Sequence, residues 1–315
     1  MSATRVVVFG FGRLALAALD TLERLGVTPI AVVVPCIRGG ADVEMVAARA
    51  REKSLRLLVQ PRRRDLAPFL ETVRALKPDL ILVWSYPMLL PLELTALAAN
   101  GAFNIHSGKL PEYRGGHVMI WAVINGERES AATLHRIDAG IDTGPVVAEE
   151  RFAIESDDDI ASLQGKLAVA GTALLTKWWP ALVDGTAPQT PQDESRAHYY
   201  RMRTPADGLI DWSQSNTRVR NLVRALVAPW PGAFTWVNDI KLVLRQVEPI
   251  AAISPAAPGT VVRCDVSELR IAAGDGDVRV LSFEIDGRPG TVADLGRAGV
   301  VSGLRLPSGP PVALR

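Results

Sequence analysis

Short apolar runs alternate with segments of helical periodicity through the first third of the chain. Arg5 to Phe9 is an apolar run that ends in glycines, as a buried parallel strand does, and Leu14 to Leu25 follows with helical spacing of its apolar residues. Thr28 to Val34 is a β-branched strand stopped by Pro35, Val43 to Lys53 reads as a helix, and Arg56 to Val59 as a short strand. Pro68 to Leu76 is helical, with the proline in the first turn where a missing N–H costs little. Leu80 to Trp84 is a strand opened by Pro78-Asp79, Pro91 to Ala99 is helical, and Ala102 to Ile105 is the next strand. This alternation predicts an open α/β sheet. Ligand crevices of such sheets lie outside the carboxyl ends of the strands, where Ala102–Ile105 delivers its last residues.

The pattern then changes. Ala131 to Arg136 and Val146 to Ile154 read as an antiparallel pair around an Asp138–Gly144 loop. Ile160 to Leu182 is a long amphipathic helix, preceded by Asp157, Asp158 and Asp159, whose charges suit a helix N-terminus. Asp184 to Arg196 is rich in Gly, Pro, Thr and Gln and reads as a linker. Thr217 to Val227 is a further helix, ended by Pro229 and Pro231. The strand candidates Phe234–Val237, Lys241–Val247, Gly259–Arg263, Glu268–Ala272 and Val278–Ile285, separated by Gly/Pro/Asp turns, suggest a small β-barrel. The expected organisation is an α/β, Rossmann-like domain over residues 1–195 and a C-terminal barrel domain with a leading helix over residues 204–315.

Composition narrows the function classes. The 315 residues are 48% hydrophobic and 22% charged, ordinary for a globular protein, and the net charge of +1 sets up no global field for nucleic acid or an anionic membrane. Cys36 and Cys264 are the only cysteines and lie far apart, which suggests a reducing compartment without a disulfide framework. No apolar stretch is long enough to span a bilayer, and the N-terminus lacks a basic region before an apolar run. A cytoplasmic location is expected. No metal cluster is read from the sequence.

Gly10-Phe11-Gly12-Arg13-Leu14-Ala15 fits the glycine pattern of a dinucleotide site. Such a site also wants an acidic residue about 20 positions on, to hold a ribose hydroxyl. Thr28 to Ala41 contains none, although Arg38 could meet a 2′-phosphate, which leaves an NADP-dependent oxidoreductase as a reading from another class. A tight turn with close strand–helix packing is the simpler explanation of the glycines.

The chemistry lies further along. Asn104, His106 and Asp142 supply an amide, an imidazole and a carboxylate, the groups needed to move an acyl unit between two nitrogens. Attack of an amine on a formamide-like carbon creates a negatively charged oxygen. Removing one donor aimed at such an oxygen commonly costs on the order of 10²–10³ in rate. Asn104 and His106 stand two apart on a strand and so point to one side. Asp142 can support a charged His106 or take the proton of the attacking amine. Each residue also has a structural reading: Asn104 as a partner of loop backbone, His106 as a core histidine, Asp138 and Asp142 as turn residues. The three together, followed at once by Pro111-x-Tyr113-Arg114-Gly115, favour function.

This set of residues resembles a known family. Asn104-x-His106 with Leu110-Pro111-x-Tyr113-Arg114-Gly115, then Trp121-Ala122-x-Ile124-x-Gly126, then Asp138-x-Gly140-x-Asp142-Thr143-Gly144, is similar to the formyltransferases that use N10-formyltetrahydrofolate. Methionyl-tRNA formyltransferase, glycinamide ribonucleotide transformylase and the sugar N-formyltransferases belong there. Tyr199 to Trp212 and Asn221 to Phe234 resemble the linker and the start of the C-terminal barrel in the tRNA enzyme and in the enzyme that modifies 4-amino-4-deoxyarabinose, so the likeness covers nearly the whole chain.

The resemblance implies that Asn104, His106 and Asp142 are catalytic. It implies that the folate lies along Ser85, Tyr86, Met88 and Leu89 and along the loop carrying Asp138 and Gly140. The acceptor side then falls to Ser107, Gly108, Lys109, Tyr113, Arg114 and His117. Departures cluster there: Gly108 and Lys109 stand where many relatives have Ser and Leu, and Val118 beside His117 replaces a usual proline. The tRNA enzyme carries a long basic insertion after its second strand, whereas Pro35 to Asp42 is short and holds one arginine. The Arg62-Arg63-Arg64 run is a candidate basic patch that reads better as a solvated face, and Arg218, Arg220 and Arg224, at about helical spacing but partly on different faces, could bind tRNA or serve solubility. The expected acceptor is therefore a primary amine of a small molecule, first a nucleotide-linked amino sugar. tRNA or a hydroxyornithine-type siderophore precursor are the alternatives, and a homodimer is compatible with the chain.

Overall fold

The computed structural model describes residues 4–37, 40–251 and 254–308. Arg38 and its expected phosphate contact lie outside the described residues. In chain order the elements are β1 (Val6–Gly10), α1 (Gly12–Arg24), β2 (Ala31–Pro35), α2 (Ala41–Glu52), β3 (Leu57–Gln60), α3 (Leu66–Ala75), β4 (Leu80–Trp84), α4 (Leu92–Thr95), β5 (Ala102–His106), β6 (Arg114–Gly115), α5 (Val118–Asn125), β7 (Glu129–Arg136) and β8 (Val146–Ala153). They continue with α6 (Ile160–Val183), β9 (Tyr199–Tyr200), α7 (Asn216–Ala225), β10 (Ala233–Val237), β11 (Ile240–Ile250), β12 (Val261–Asp265), β13 (Glu268–Ala272), β14 (Asp277–Ile285), β15 (Arg288–Pro289) and α8 (Val292–Arg297). The chain divides into one compact unit of Met1–Gly115, Glu129–Ala153 and Gly165–Tyr199, and another of Gly116–Arg128, Ile154–Gln164 and Tyr200–Arg315.

The first unit is built on a seven-stranded sheet of order β3-β2-β1-β4-β5-β7-β8. β1 to β5 run parallel, and β7 and β8 are antiparallel to their neighbours. β1, β2 and β4 are buried along their whole length, the reason they read as unbroken apolar runs rather than as alternating ones. One core beneath them gathers Phe9, Val33, Phe69, Val73, Ile81 and Leu94. Gly10 is fixed by packing: a Cβ there would lie 2.6 Å from the Ala15 Cβ and 2.8 Å from the Trp84 carbonyl oxygen. Gly12 adopts φ +68°, with the Asp42 carboxylate 3.2 Å from where its Cβ would stand. A carboxylate beside the turn is a poor neighbour for a pyrophosphate, so both glycines are explained without a dinucleotide.

The helix expected over Pro91–Ala99 shrinks to Leu92–Thr95. The Ala99 and Asn100 N–H groups, needed to prolong it, donate instead to Pro78 and Asp79 carbonyls at 3.2 and 2.7 Å. The strand-opening dipeptide thus ends the helix. The segment read as a linker contributes to the first unit, because Gln192 and Glu194 bind Arg114.

The second unit contains α5, α7 and a six-stranded antiparallel sheet of order β10-β11-β14-β13-β12, with β15 on β14. Ser215 caps α7 by accepting from the Arg218 N–H at 3.1 Å. Register shifts at Leu244 and Gln246 bend β11 against β14, as bulges do. The outer strands are not left bare: the Ile210 N–H bonds Phe234 of β10, and Leu304 and Leu306 pair with Val261 and Gly259 beside β12. The expected barrel thus takes the form of a bent antiparallel sheet with both edges covered. Among the described residues no helix is long and apolar enough to cross a membrane.

Candidate active site

β5 and β7 run side by side, with Asn104 opposite His135 and His106 opposite Thr133. Strand alternation places these four side chains on one face of the sheet, and Phe103, Ile105 and Leu134 on the other. Asp142 reaches the same face from the loop between β7 and β8. Its backbone stands at φ 55°, an uncommon conformation for a residue with a Cβ, of the kind that functional loops hold. Several contacts impose it. Asp138 Oδ1 accepts from the Gly140 N–H at 3.1 Å and the Thr143 hydroxyl at 2.5 Å. Gln192 Nε2 donates to the carbonyls of Asp142 and Gly144 at 2.8 and 2.7 Å. A Cβ on Gly144 would fall 1.8 Å from the Arg136 carbonyl oxygen, so only glycine fits.

The Asp142 carboxylate lies between two buried imidazoles. Oδ2 accepts the Gly115 N–H at 2.9 Å and stands 3.6 Å from His106 Nδ1, while Oδ1 stands 3.7 Å from His135 Nε2. The last two distances exceed a hydrogen bond, as catalytic contacts often do before substrate arrives. The structure therefore brings Asn104, His106 and Asp142 together and adds His135.

Backbone carbonyls decide where the ring protons sit. His106 Nε2 is 2.6 Å from the Tyr113 carbonyl, which only accepts, so Nε2 carries a proton. Nδ1, the nitrogen that faces Asp142, can then donate only when the ring is doubly protonated. His135 Nδ1 is 2.9 Å from the Arg136 carbonyl, and its Nε2 is 3.1 Å from Asn104 Nδ2. Burial pushes His135 down to about 4, against the opposing pull of Asp142, so the ring is neutral at pH 7. His135 escaped the sequence reading because its partner is set by register. The available signal was a lone imidazole two positions beyond Thr133 on the strand that leads into the Asp138–Gly144 loop.

The remaining expected site residues fall into two groups. Ser85 has φ 57°, and its carbonyl accepts the Phe11 N–H at 3.1 Å. Tyr86 turns its ring onto Phe9, centroids 5.5 Å apart, and burial raises its hydroxyl pKa far above the usual range. Met88 is half-buried and Leu89 is 72% exposed, so these side chains are open to a ligand where Tyr86 is engaged with the core. On the acceptor flank Ser107 is half-buried, the Gly108 carbonyl accepts from the Thr133 hydroxyl at 2.7 Å, and Lys109 Nζ lies 3.6 Å from Glu129.

Tyr113 and Arg114 are buried. The Arg114 guanidinium donates to Gln192, Glu194 and Tyr199 through all three of its nitrogens at 2.6–3.1 Å. Its expected contact with substrate gives way to a scaffold position, since every face of the fork is taken by protein. His117 belongs to the second unit, where its Nδ1 accepts the Arg203 N–H at 3.0 Å and its ring meets Trp230 edge-on.

Comparisons with known proteins identify the family. The family model described as formyl transferase matches residues 5–178, and that described as formyl transferase, C-terminal domain, matches residues 203–296. Among solved structures, an N-formyltransferase from Helicobacter canadensis in complex with folinic acid and dTDP-3-aminofucose is 19% identical, with a TM-score of 0.69 over 88% of this chain and 98% of that one. WlaRD, a sugar 3N-formyl transferase in the presence of dTDP and 5-N-formyl-THF, is 16% identical, with a TM-score of 0.67 over 91% of this chain and 100% of that one. HypX from Aquifex aeolicus in complex with tetrahydrofolic acid is 21% identical, with a TM-score of 0.61 over 94% of this chain but 48% of that longer one. At these identities the structures attest the fold, whereas the family models span most of the chain with Asn104, His106 and Asp142 inside the first of them: the protein is a transferase enzyme that belongs to the formyl transferase family.

Proposed function

We propose that the protein transfers a formyl group from N10-formyltetrahydrofolate to the primary amine of a nucleotide-linked amino sugar, with catalysis assigned to residues 1–195. The observation that carries the reading is the convergence of Asn104, His106 and Asp142 on one sheet face within a chain of this family. The unprotonated amine attacks the formyl carbon, a C–N bond forms, and the carbonyl oxygen becomes an oxyanion. Asn104 offers an amide N–H to that oxygen, and doubly protonated His106 offers Nδ1–H, with its charge balanced by Asp142. Asp142 accepts the proton shed by the amine; the oxyanion collapses, the bond from carbon to N10 breaks, and that same proton passes on to N10 of the departing tetrahydrofolate.

The folate assignment draws support from relatives holding folinic acid, 5-N-formyl-THF or tetrahydrofolic acid. It would place the cofactor along Ser85, Met88 and Leu89 and against the Asp138–Gly140 turn. The acceptor assignment draws support from relatives crystallised with dTDP or dTDP-3-aminofucose. It would place the amine beside Ser107, Gly108 and Lys109. A cytoplasmic setting fits the two free thiols, Cys36 and Cys264.

The test is to incubate the purified protein with N10-formyltetrahydrofolate and, separately, dTDP-amino sugars, charged initiator tRNA and hydroxyornithine, and to read each product by mass spectrometry. The proposal requires a gain of one formyl group on an amino sugar. Formylation of the tRNA or of hydroxyornithine alone would overturn the acceptor.

A further inference from the structure

We propose that His135 is a positioning residue that sets which end of the Asn104 amide faces the reacting oxygen. An amide presents an acceptor and a donor of nearly the same shape, and half a turn of the side chain exchanges them. Stabilising an oxyanion needs the donor. Shape alone does not distinguish the two ends of the Asn104 amide, so a polar partner must choose between them.

His135 makes that choice, and its own state is set by the backbone. Its Nδ1 lies 2.9 Å from the Arg136 carbonyl oxygen, which accepts only, so the ring proton resides on Nδ1 and Nε2 keeps its lone pair. That lone pair stands 3.1 Å from the Asn104 amide and demands an N–H. Nδ2 therefore turns toward His135 and spends one proton there. Its second N–H, fixed in the amide plane, is left for the substrate.

The Arg136 carbonyl cannot swing away. The Arg136 N–H is bound to Pro145 at 3.0 Å, and the next N–H, of Ile137, to Ala102 at the start of β5 at 2.8 Å. A doubly protonated His135 would instead present N–H at Nε2 and draw the amide oxygen round, removing the donor. The charged groups that bear on the ring are Asp142, 3.7 Å from Nε2, His106 at 6.2 Å between centroids, and Asp138. The carboxylates favour a charged ring, whereas its burial at 2% exposure and a charged His106 oppose it. The two imidazoles are thus wired in opposite senses: His106 donates from Nε2 to the Tyr113 carbonyl, and His135 donates from Nδ1 to that of Arg136.

The kinetic arm of the test rests on the proposed formyl transfer; the spectroscopic arm does not. Long-range proton–nitrogen NMR of the protein labelled with 15N-histidine, at neutral pH, should show the His135 ring neutral and protonated at Nδ1, with the signal assigned by its loss in His135→Leu. A ring protonated at Nε2, alone or with Nδ1, overturns the proposal. In formyl transfer, His135→Leu should lower kcat by about 10²-fold, the loss of one aimed donor, with the KM for the folate nearly unchanged. His135→Gln, whose Oε1 can accept from Asn104, should recover most of that loss. Wild-type kcat in His135→Leu, or equal losses in both folded variants, contradicts the role. If the wild-type protein transfers no formyl group, the reaction reading fails while the ring state is still decided by NMR.

Discussion

The side-chain amide of Gln192 donates to the Asp142 carbonyl at 2.8 Å, and its oxygen accepts from Arg114 Nη2 at the same distance. A buried guanidinium thereby holds, through one glutamine, the loop that carries the Asp142 carboxylate. The motif residue Arg114 serves the site without facing it.

Replacing Gln192 with Leu should loosen that loop while leaving Arg114 its contacts to Glu194 and Tyr199. We expect kcat to fall about tenfold or more, since small misplacements of a reacting group are costly. Stability should fall by about 2–4 kcal/mol, since four hydrogen bonds are lost, two of them to the Arg114 guanidinium. Steady-state kinetics beside urea unfolding measures both. An unchanged kcat would show that Asp142 is placed without this support.

Gly144→Ala probes the same loop from its other end. The new Cβ would fall 1.8 Å from the Arg136 carbonyl oxygen, a backbone atom that cannot step aside cheaply. The carbonyl in question also anchors His135. The variant should lose about 1–3 kcal/mol, as overpacked positions do, and most of its activity. Thermal melting and formyl-transfer assays check this, and wild-type activity would contradict the described loop geometry.

Much of the fold was legible because its causes are local. The parallel strands carry unbroken Val, Ile and Leu runs because both sheet faces are covered, and β4 and β13 begin and end where the apolar pattern says. Asn104 and His106 share a face by strand alternation alone. What escaped depends on long-range pairing. His135 gains meaning only from its register against Asn104, which no spacing along one strand reveals. Arg114 sits in a recognisable motif, but a motif carries no burial, and its partners lie in a segment whose Gln- and Pro-rich composition suggests a connector. The helix after Pro91 was cut short by carbonyls of Pro78 and Asp79, residues more than ten positions away.

His135 also leaves a mark on stability. Burial holds its folded pKa down at about 4, below the ordinary 6.5 of an unfolded chain. Between those values the unfolded chain binds more protons, so stability rises with pH across the window and is lost on acidification from about 6.5 toward 4. The loss from this group should be on the order of 3 kcal/mol. Urea unfolding measured from neutral pH down to about pH 4.5 should show the slope, and His135→Leu should flatten it. An identical pH dependence in the variant would show that His135 is not the responsible group.

The most direct test of the account is the release of tetrahydrofolate from N10-formyltetrahydrofolate, followed with and without a dTDP-amino sugar, in the wild-type protein and in Asn104→Ala. Amine-dependent release by the wild type is expected, with kcat lowered by about 10²–10³-fold in a variant that melts at the same temperature. No amine-dependent release by the wild type, or full activity in Asn104→Ala, would contradict it.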